Sequence, residues 1–327
     1  MTSTKLYTMD VLNNLNLPVS VFDIFFLAQG SDERAYKNLT ILKENHVNIK
    51  KLVAFNFEER LEIQDLLLRE KYELVNSIDY EKTIINCSIK DVSKCLKNFR
   101  NWEVELSKDM IIGIDISCFT KPYFFSIIKF LQLQFGIKEI WAFYTEPNTY
   151  YFSKGIHHRT YHSGSGELSI IEIPGYSGNN SRKKNSILII LLGFDGELAS
   201  FINREEISPG ITLVINGFPS YVPKFKDISL INNEKLLRGL DSNRNLYFST
   251  ANNPFETFAA LEEIAYNFPD SFINIAPLGT KPMALGACIF GLFHPDSRII
   301  YPLPFEYKEK TTSDCWSSWY YKIPLRD

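Results

Sequence analysis

The chain has 327 residues, 45% of them hydrophobic and 22% charged, with a formal net charge of −3. This is the composition of a globular chain long enough for two domains. Its near-neutral balance excludes a general nucleic-acid binder while leaving room for a local basic pocket.

Taken in chain order, Val21–Ala28 is a short apolar run rich in aromatic and β-branched residues, as in a strand covered on both faces. Gln29-Gly30-Ser31 turns the chain, and Ser31 or Asp32 caps a helix running to about Lys43. Lys51–Phe55 and Thr83–Ile89 read as strands, and Glu58–Glu73 and Asp91–Phe99 as helices. Met110–Ser117 is a strand with polar residues at its end. Cys118-Phe119-Thr120-Lys121-Pro122 then opens a helix to about Leu133, and Glu139–Tyr144 is the next strand.

Asn148–Ser186 breaks the alternation. It is rich in Gly, Ser, His, Tyr and Asn, carries the basic run Arg182-Lys183-Lys184 and holds one strand at Leu168–Ile173. From Ser186 the alternation resumes. Strands are expected at Ile187–Leu192, Ile211–Asn216, Leu246–Ser249, Phe272–Ile275 and Arg298–Tyr301. Helices are expected at Gly196–Asn203, Asn232–Leu240, Asn253–Asn267 and from Pro282 onward. The tail Trp316–Ile323 reads as a further strand, antiparallel at an edge. The fold class expected is α/β: two tandem Rossmann-like halves with mainly parallel sheets and an inserted loop or lobe between them. The divisions are residues 1–150, 151–185 and 186–327.

The two halves match internally. Phe25–Ala35 aligns with Ile189–Ala199, and Asp115–Pro122 with Ala276–Pro282, so that both Thr-Lys-Pro triplets stand between a strand and a helix. A hydroxyl and an ammonium at a helix start, beside unpaired backbone N–H groups, suit a phosphate. Gly279 lets the backbone approach in the second copy, where the first has Phe119. The candidate ligand-binding residues are therefore Gly279, Thr280, Lys281, Ser117, Thr120 and Lys121, with Tyr144 and Tyr301 on the strands that follow. Neither a Walker loop nor G-x-G-x-x-G is present. Asp32, Glu33, Asp195 and Glu197 read first as helix-start carboxylates. Asp115, at the end of its strand, needs a partner such as Lys121 or a ligand hydroxyl.

The catalytic candidates are Asp115, Glu146, His158 and Arg159, the last two in the cluster with His157 and His162. No metal or cofactor is expected. The five cysteines are scattered, odd in number and without C-x-x-C spacing, as reduced thiols in a cytoplasmic protein are. Residues 1–10 lack the apolar core of a signal peptide, and no apolar run is long enough for a bilayer, so no membrane association is expected.

The stretch Gly279-Thr280-Lys281-Pro282-Met283, between a strand and the small-residue helix of Ala284, Gly286 and Ala287, resembles the Gly-Gly-Thr-Lys-Pro-Met segment of CRISPR-associated Rossmann-fold (CARF) domains. The resemblance spans Ile273–Phe290, with a weaker echo at Asp115–Pro122. Leu278 stands where the family has its first glycine. It implies a nucleotide-phosphate role for Gly279, Thr280 and Lys281, a cyclic oligoadenylate as the kind of ligand, and an effector supplied by another domain or a protein partner. The expected function is a nucleotide sensor in antiviral defence or stress, working with a protein partner or as a homo-oligomer. A phosphodiesterase or nucleotide/NAD hydrolase, and a structural subunit of a defence complex, remain as alternatives.

Overall fold

The computed structural model describes residues 8–12, 17–30, 32–60, 80–98, 104–151, 153–154, 159–160, 164–180, 185–205, 210–307 and 312–325. The chain divides into two compact units, one of residues 1–150 with 312–327 and the other of residues 151–311.

The first unit runs β1 (Thr8–Val11), β2 (Val21–Ala28), α1 (Arg34–Glu44), β3 (Asn48–Phe57), β4 (Glu81–Cys87), α2 (Val92–Lys97), β5 (Ile112–Asp115), α3 (Lys121–Phe135) and β6 (Glu139–Tyr150). The second runs β7 (Ser153–Lys154), β8 (Arg159–Thr160), β9 (Gly164–Glu172), β10 (Asn185–Leu191), α4 (Gly196–Glu205), β11 (Ile211–Gly217), α5 (Lys224–Asn232), α6 (Glu234–Leu237), α7 (Ser242–Asn245), β12 (Leu246–Ser249), α8 (Pro254–Asn267), β13 (Ser271–Pro277), α9 (Lys281–Phe293) and β14 (Arg298–Tyr307). The last strand, β15 (Thr312–Pro324), belongs to the first unit.

Each unit holds one large sheet, ordered β1-β15-β6-β5-β2-β3-β4 in the first and β12-β11-β10-β13-β14-β9 in the second. The pairings among β4, β3, β2, β5 and β6 are parallel, and so are those among β12, β11, β10, β13 and β14. Strand order reverses between β2 and β5 in one sheet and between β10 and β13 in the other. Both units therefore share the doubly wound Rossmann-like plan, with the crevice for a ligand expected beyond the carboxyl ends of those strands. The central strands are apolar because helices cover both faces. Leu188–Leu191 is fully buried, and every residue of β13 is buried.

The next long strand after the fifth parallel strand of each unit pairs with the fifth strand of the other. β9 follows β6 in the chain yet lies antiparallel to β14, while β15 follows β14 and lies antiparallel to β6. This corrects the divisions read from sequence. Within the interval 151–185, β9 completes the second sheet, and among the described residues the β7–β8 pair forms a separate two-stranded sheet. The tail likewise leaves the 186–327 half for the first sheet. It is antiparallel as expected, but it is not an edge, because β1 pairs along its outer side.

Other differences are local. The helix expected at Asn232–Leu240 is broken at Asn233, which ends α5 and precedes α6, and α5 itself was not anticipated. Of the helix expected at Glu58–Glu73, residues 58–60 form a 3₁₀ turn and the remainder lies outside the described residues. Among the described residues, no helix is long and apolar enough to cross a membrane.

Candidate functional site

The two Thr-Lys-Pro triplets stand at equivalent places. Each follows the strand on the far side of its unit's reversal point, β5 or β13, and begins a long helix, α3 or α9, with proline in the first turn. Their surroundings differ.

In the second unit the loop after β10 and the loop after β13 touch through their backbones. A Cβ built on Gly193 would run into the Leu278 carbonyl oxygen, and one on Gly279 would meet Met283 Sδ at 3.1 Å and the Leu192 carbonyl at 3.2 Å. Glycine at these positions is a requirement of close approach. The Gly193 carbonyl accepts from Ser229 Oγ (3.1 Å) and Asn233 Nδ2 (2.8 Å), and the Phe194 carbonyl from Asn232 Nδ2 (2.8 Å). Asp195 accepts from the Leu198 amide at 3.4 Å, the helix-start role its position indicated. The Thr280 hydroxyl donates to the Ala251 carbonyl and accepts from the Met283 amide at 3.3 Å. With its proton committed there, the hydroxyl clamps the loop, and an anion at this helix start meets the helix dipole and the half-buried Lys281. Pro282 has no amide to offer, and Ala284 donates to the Thr280 carbonyl. The structure thus leaves fewer donors than the sequence alone implies. Leu278, in place of the family's glycine, is buried.

Replacing Thr280 by Val removes both bonds of a nearly isosteric side chain. The expected result is a loss of about 1–3 kcal/mol in urea denaturation, the sum of a helix cap and one hydrogen bond. An unchanged midpoint would show that the clamp contributes nothing.

In the first unit the equivalent region is a buried polar cluster. Asp115, 2% exposed, accepts from Asn38 Nδ2 (2.8 Å) and from the Ser117 amide (2.9 Å). Its partners thus include an amide on α1 and its own turn. Ser117 Oγ accepts from the Thr145 amide (2.8 Å), and the Thr145 hydroxyl shares a hydrogen bond with Ser318 (2.8 Å). Arg34 grips Asp32 through Nε (3.0 Å to Oδ1) and Nη2 (2.6 Å to Oδ2). Thr312 of β15 completes the group, accepting from Arg34 Nη2 (3.1 Å) and donating to Asp32 Oδ2 (2.8 Å).

Burial alone would raise the pKa of Asp32; the Arg34 hydrogen bonds and charge outweigh it and hold the carboxyl at about 2. Burial opposes the Arg34 charge as well, yet Asp32 holds that pKa well above its usual value. Glu146 behaves oppositely. It is 5% exposed, and burial pushes its pKa up to about 8 against the downward pull of the Trp319 indole N–H. Burial, then the nearby Asp32 and Glu33 carboxylates, raise the Cys315 thiol to about 11.

Phe119 turns its ring into the core, with ring centroids 5.1 Å from Phe55 and 6.5 Å from Phe57. Tyr144 is 2% exposed and Tyr301 8% exposed, both within their sheets. The structure thus gathers Asp115, Ser117, Thr120, Lys121, Tyr144 and Glu146 in one unit and Gly279, Thr280, Lys281 and Tyr301 in the other. His157 and His158 lie outside the described residues, as does His162. Arg159 is placed only by its backbone, in β8. Among the described residues, no three metal-ligating side chains cluster.

Arg34, Asn38 and Gln29 escaped the sequence reading. Arg34 and Asn38 stand one helical turn apart on α1, on the face that also carries Ala35, Leu39 and Leu42, and all five are buried. Polar residues at that spacing on a core-facing stripe were the available signal.

A cleft of about 320 Å³ lies at the opposite end of the first sheet, lined by Lys108, Lys138, Lys322, Glu139 and Trp141 among others. Lys322 there is paired with Glu139 at 3.0 Å.

No protein-family model and no curated protein matches the chain. Among solved structures, a DNA nuclease of type III CRISPR defence that is activated by cyclic oligoadenylate has a similar fold. The TM-score is 0.51 at 9% identity, over 89% of this chain and 68% of that one. At that identity the likeness is one of fold.

Proposed function

We propose that this chain is a nucleotide-binding sensor of the CARF type, serving antiviral defence together with a partner effector. The observation that carries the reading is the placement of two Thr-Lys-Pro triplets at the same point of two like-ordered sheets, where open α/β sheets take their ligands. The likeness of fold to a nuclease activated by cyclic oligoadenylate supports the same class of ligand here. In this reading Lys281 holds a phosphate at the start of α9, Gly279 allows the close approach and Thr280 fixes the loop. Lys121 supplies the corresponding charge in the first unit.

The test is calorimetric titration with cyclic tetra- and hexaadenylate and with tripolyphosphate. Lys281→Ala is expected to weaken binding at least tenfold, the share of one charge-assisted contact of about 1.5–3 kcal/mol, with the thermal midpoint unchanged. Equal binding by the variant would reject the phosphate site.

A second reading, hydrolysis of the same kind of ligand, is favoured by Glu146. A carboxyl with a pKa of about 8 is poised as a general acid near neutral pH. Product formation from cyclic or linear nucleotides separates the two readings.

A further inference from the structure

Two cysteines of the first unit meet in its core. Cys87 ends β4 and Cys95 lies on α2, eight residues further along the chain. Both are free thiols, 6% and 7% exposed. They are hydrogen-bonded to each other, and the buried Tyr123 hydroxyl lies within hydrogen-bonding reach of both. That hydroxyl donates to the Ser88 carbonyl at 2.5 Å, and the Asn56 carbonyl lies 3.8 Å from Cys87 Sγ.

A buried thiol on its own packs as a small hydrophobe and is inert. Cys288 is of this kind, set against the Tyr176 hydroxyl at 3.1 Å in a fully buried place. Two thiols in contact differ, because the second sulfur is placed to resolve whatever forms on the first. Two sulfurs do not make a metal site. Structural zinc takes four ligands, and among the described residues no three His, Cys, Asp or Glu side chains form a metal-holding group.

The chain between the cysteines suits a bridge. It turns so that the Asp91 amide donates to the Ser88 carbonyl at 3.3 Å, and Asp91 caps α2 by accepting from the Lys94 amide at 2.9 Å. α2 has six residues, too few to hold rigid by its own hydrogen bonds. A small shift of such a helix brings sulfurs from hydrogen-bond contact to the ~2.0 Å of a disulfide. The hydrogen bond from Cys87 holds the Cys95 thiol below its usual pKa against the opposing effect of burial, and it raises Cys87 in turn. Cys95 is thus the sulfur that reaches the thiolate first.

We infer that Cys87 and Cys95 form a reversible disulfide within the chain, made by a hydroperoxide and undone by a thiol reductant. The Cys95 thiolate attacks the peroxide. An S–O bond forms, the O–O bond breaks, and the departing oxygen takes up a proton and leaves as water or an alcohol. Cys87 then gives up its proton and attacks the Cys95 sulfur. The S–S bond forms, the S–O bond breaks, and the second oxygen leaves as water. The two thiols lose two electrons and the peroxide gains them. Tyr123 sets the pair beside the first Thr-Lys-Pro turn. It lies in the first turn of α3, its amide donates to the Thr120 carbonyl at 3.1 Å, and its ring centroid is 4.8 Å from that of Phe57. The pair needs no nucleotide, so it can be tested whether or not the chain is a sensor.

The full folded chain is treated with hydrogen peroxide, its remaining thiols are blocked with N-ethylmaleimide, and it is mapped by peptide mass spectrometry. The expected result is the loss of two of the five thiols, a Cys87–Cys95 linkage within one chain, and recovery of all five by dithiothreitol. Cys95→Ser is expected to abolish the linkage. Cys87→Ser, which lacks the resolving sulfur, is expected to hold Cys95 as a sulfenic acid that dimedone labels. The wild-type map needs no substitution, so it decides the matter should either variant fail to fold. Treated wild type in which Cys87 and Cys95 are both blocked by maleimide, joined to other cysteines, or carried to sulfinic acid without a linkage would overturn the inference.

Discussion

Asp32→Ala is expected to destabilise the protein by about 3–5 kcal/mol, the usual consequence of stranding one member of a buried ion pair. Arg34 is 9% exposed as a residue, and its guanidinium is held by the Asp32 carboxylate and the Thr312 hydroxyl. Removing the carboxylate leaves a full positive charge in the core of the first unit, with one neutral hydroxyl against it. The double variant Asp32→Ala/Arg34→Met is expected to recover most of the loss, because no uncompensated charge remains. Urea midpoints of the single and double variants at pH 7 decide the matter. A single variant as stable as wild type would mean that the pair contributes no net free energy. The pH dependence has a definite sign. The folded pKa of about 2 lies below the reference value of 3.8, so the stabilisation is present above pH ~4 and is lost as pH falls through 2.

The second large effect has the opposite sign. Glu146→Gln is expected to stabilise the protein at pH 8 by about 2–4 kcal/mol, at ~1.4 kcal/mol per unit of pKa displacement less an allowance for relaxation of the site. The folded pKa is raised from 4.5 to about 8. Below pH ~4.5 the carboxyl is protonated in both states and has no effect. Between 4.5 and 8 only the unfolded chain ionises freely, so stability falls as pH rises through that window. Above 8 the penalty is complete and constant. Glutamine keeps the size and the hydrogen-bonding capacity while abolishing the ionisation, so the variant should lack the slope. Urea titrations at pH 5 and pH 8 test this, and parallel pH dependences for the two proteins would refute it. The same variant bears on function. If Glu146 donates a proton to a leaving group, hydrolysis disappears while ligand binding stays; under the sensor reading, binding is unaffected and there is no hydrolysis to lose.

Both effects arise from polar groups that a helix or strand carries into the core, and such groups are the hardest to interpret in one dimension. Asp32 reads as a helix-start carboxylate, and in part it is one, accepting from the Arg34 amide at 3.0 Å. Its ion pair needs the additional fact that Thr312, 280 residues away, closes the group. Glu146 stands near the end of a strand as one acid among many until β15 is laid against β6, with Trp319 opposite Tyr144. Thr120 and Thr280 share the Thr-Lys-Pro triplet, and the structure shows that the Ala251 carbonyl accepts from Thr280 whereas Thr120 makes no side-chain cap.

What the amino-acid order determined by itself was local and periodic. Apolar β-branched runs became buried parallel strands, Thr-Lys-Pro and Asn-Pro became helix starts, and the repeat of strand and helix dictated the Rossmann-like plan twice over. These follow from backbone sterics and from burial, which act between near neighbours. The tertiary structure alone decided that β9 and β15 each pair with the fifth strand of the other half, that Arg34 and Asn38 face inward, and which threonine clamps its loop. Those outcomes depend on contacts between residues far apart in the chain, where strand pairing and the burial of charge are settled by the packed whole rather than by the segment that carries them.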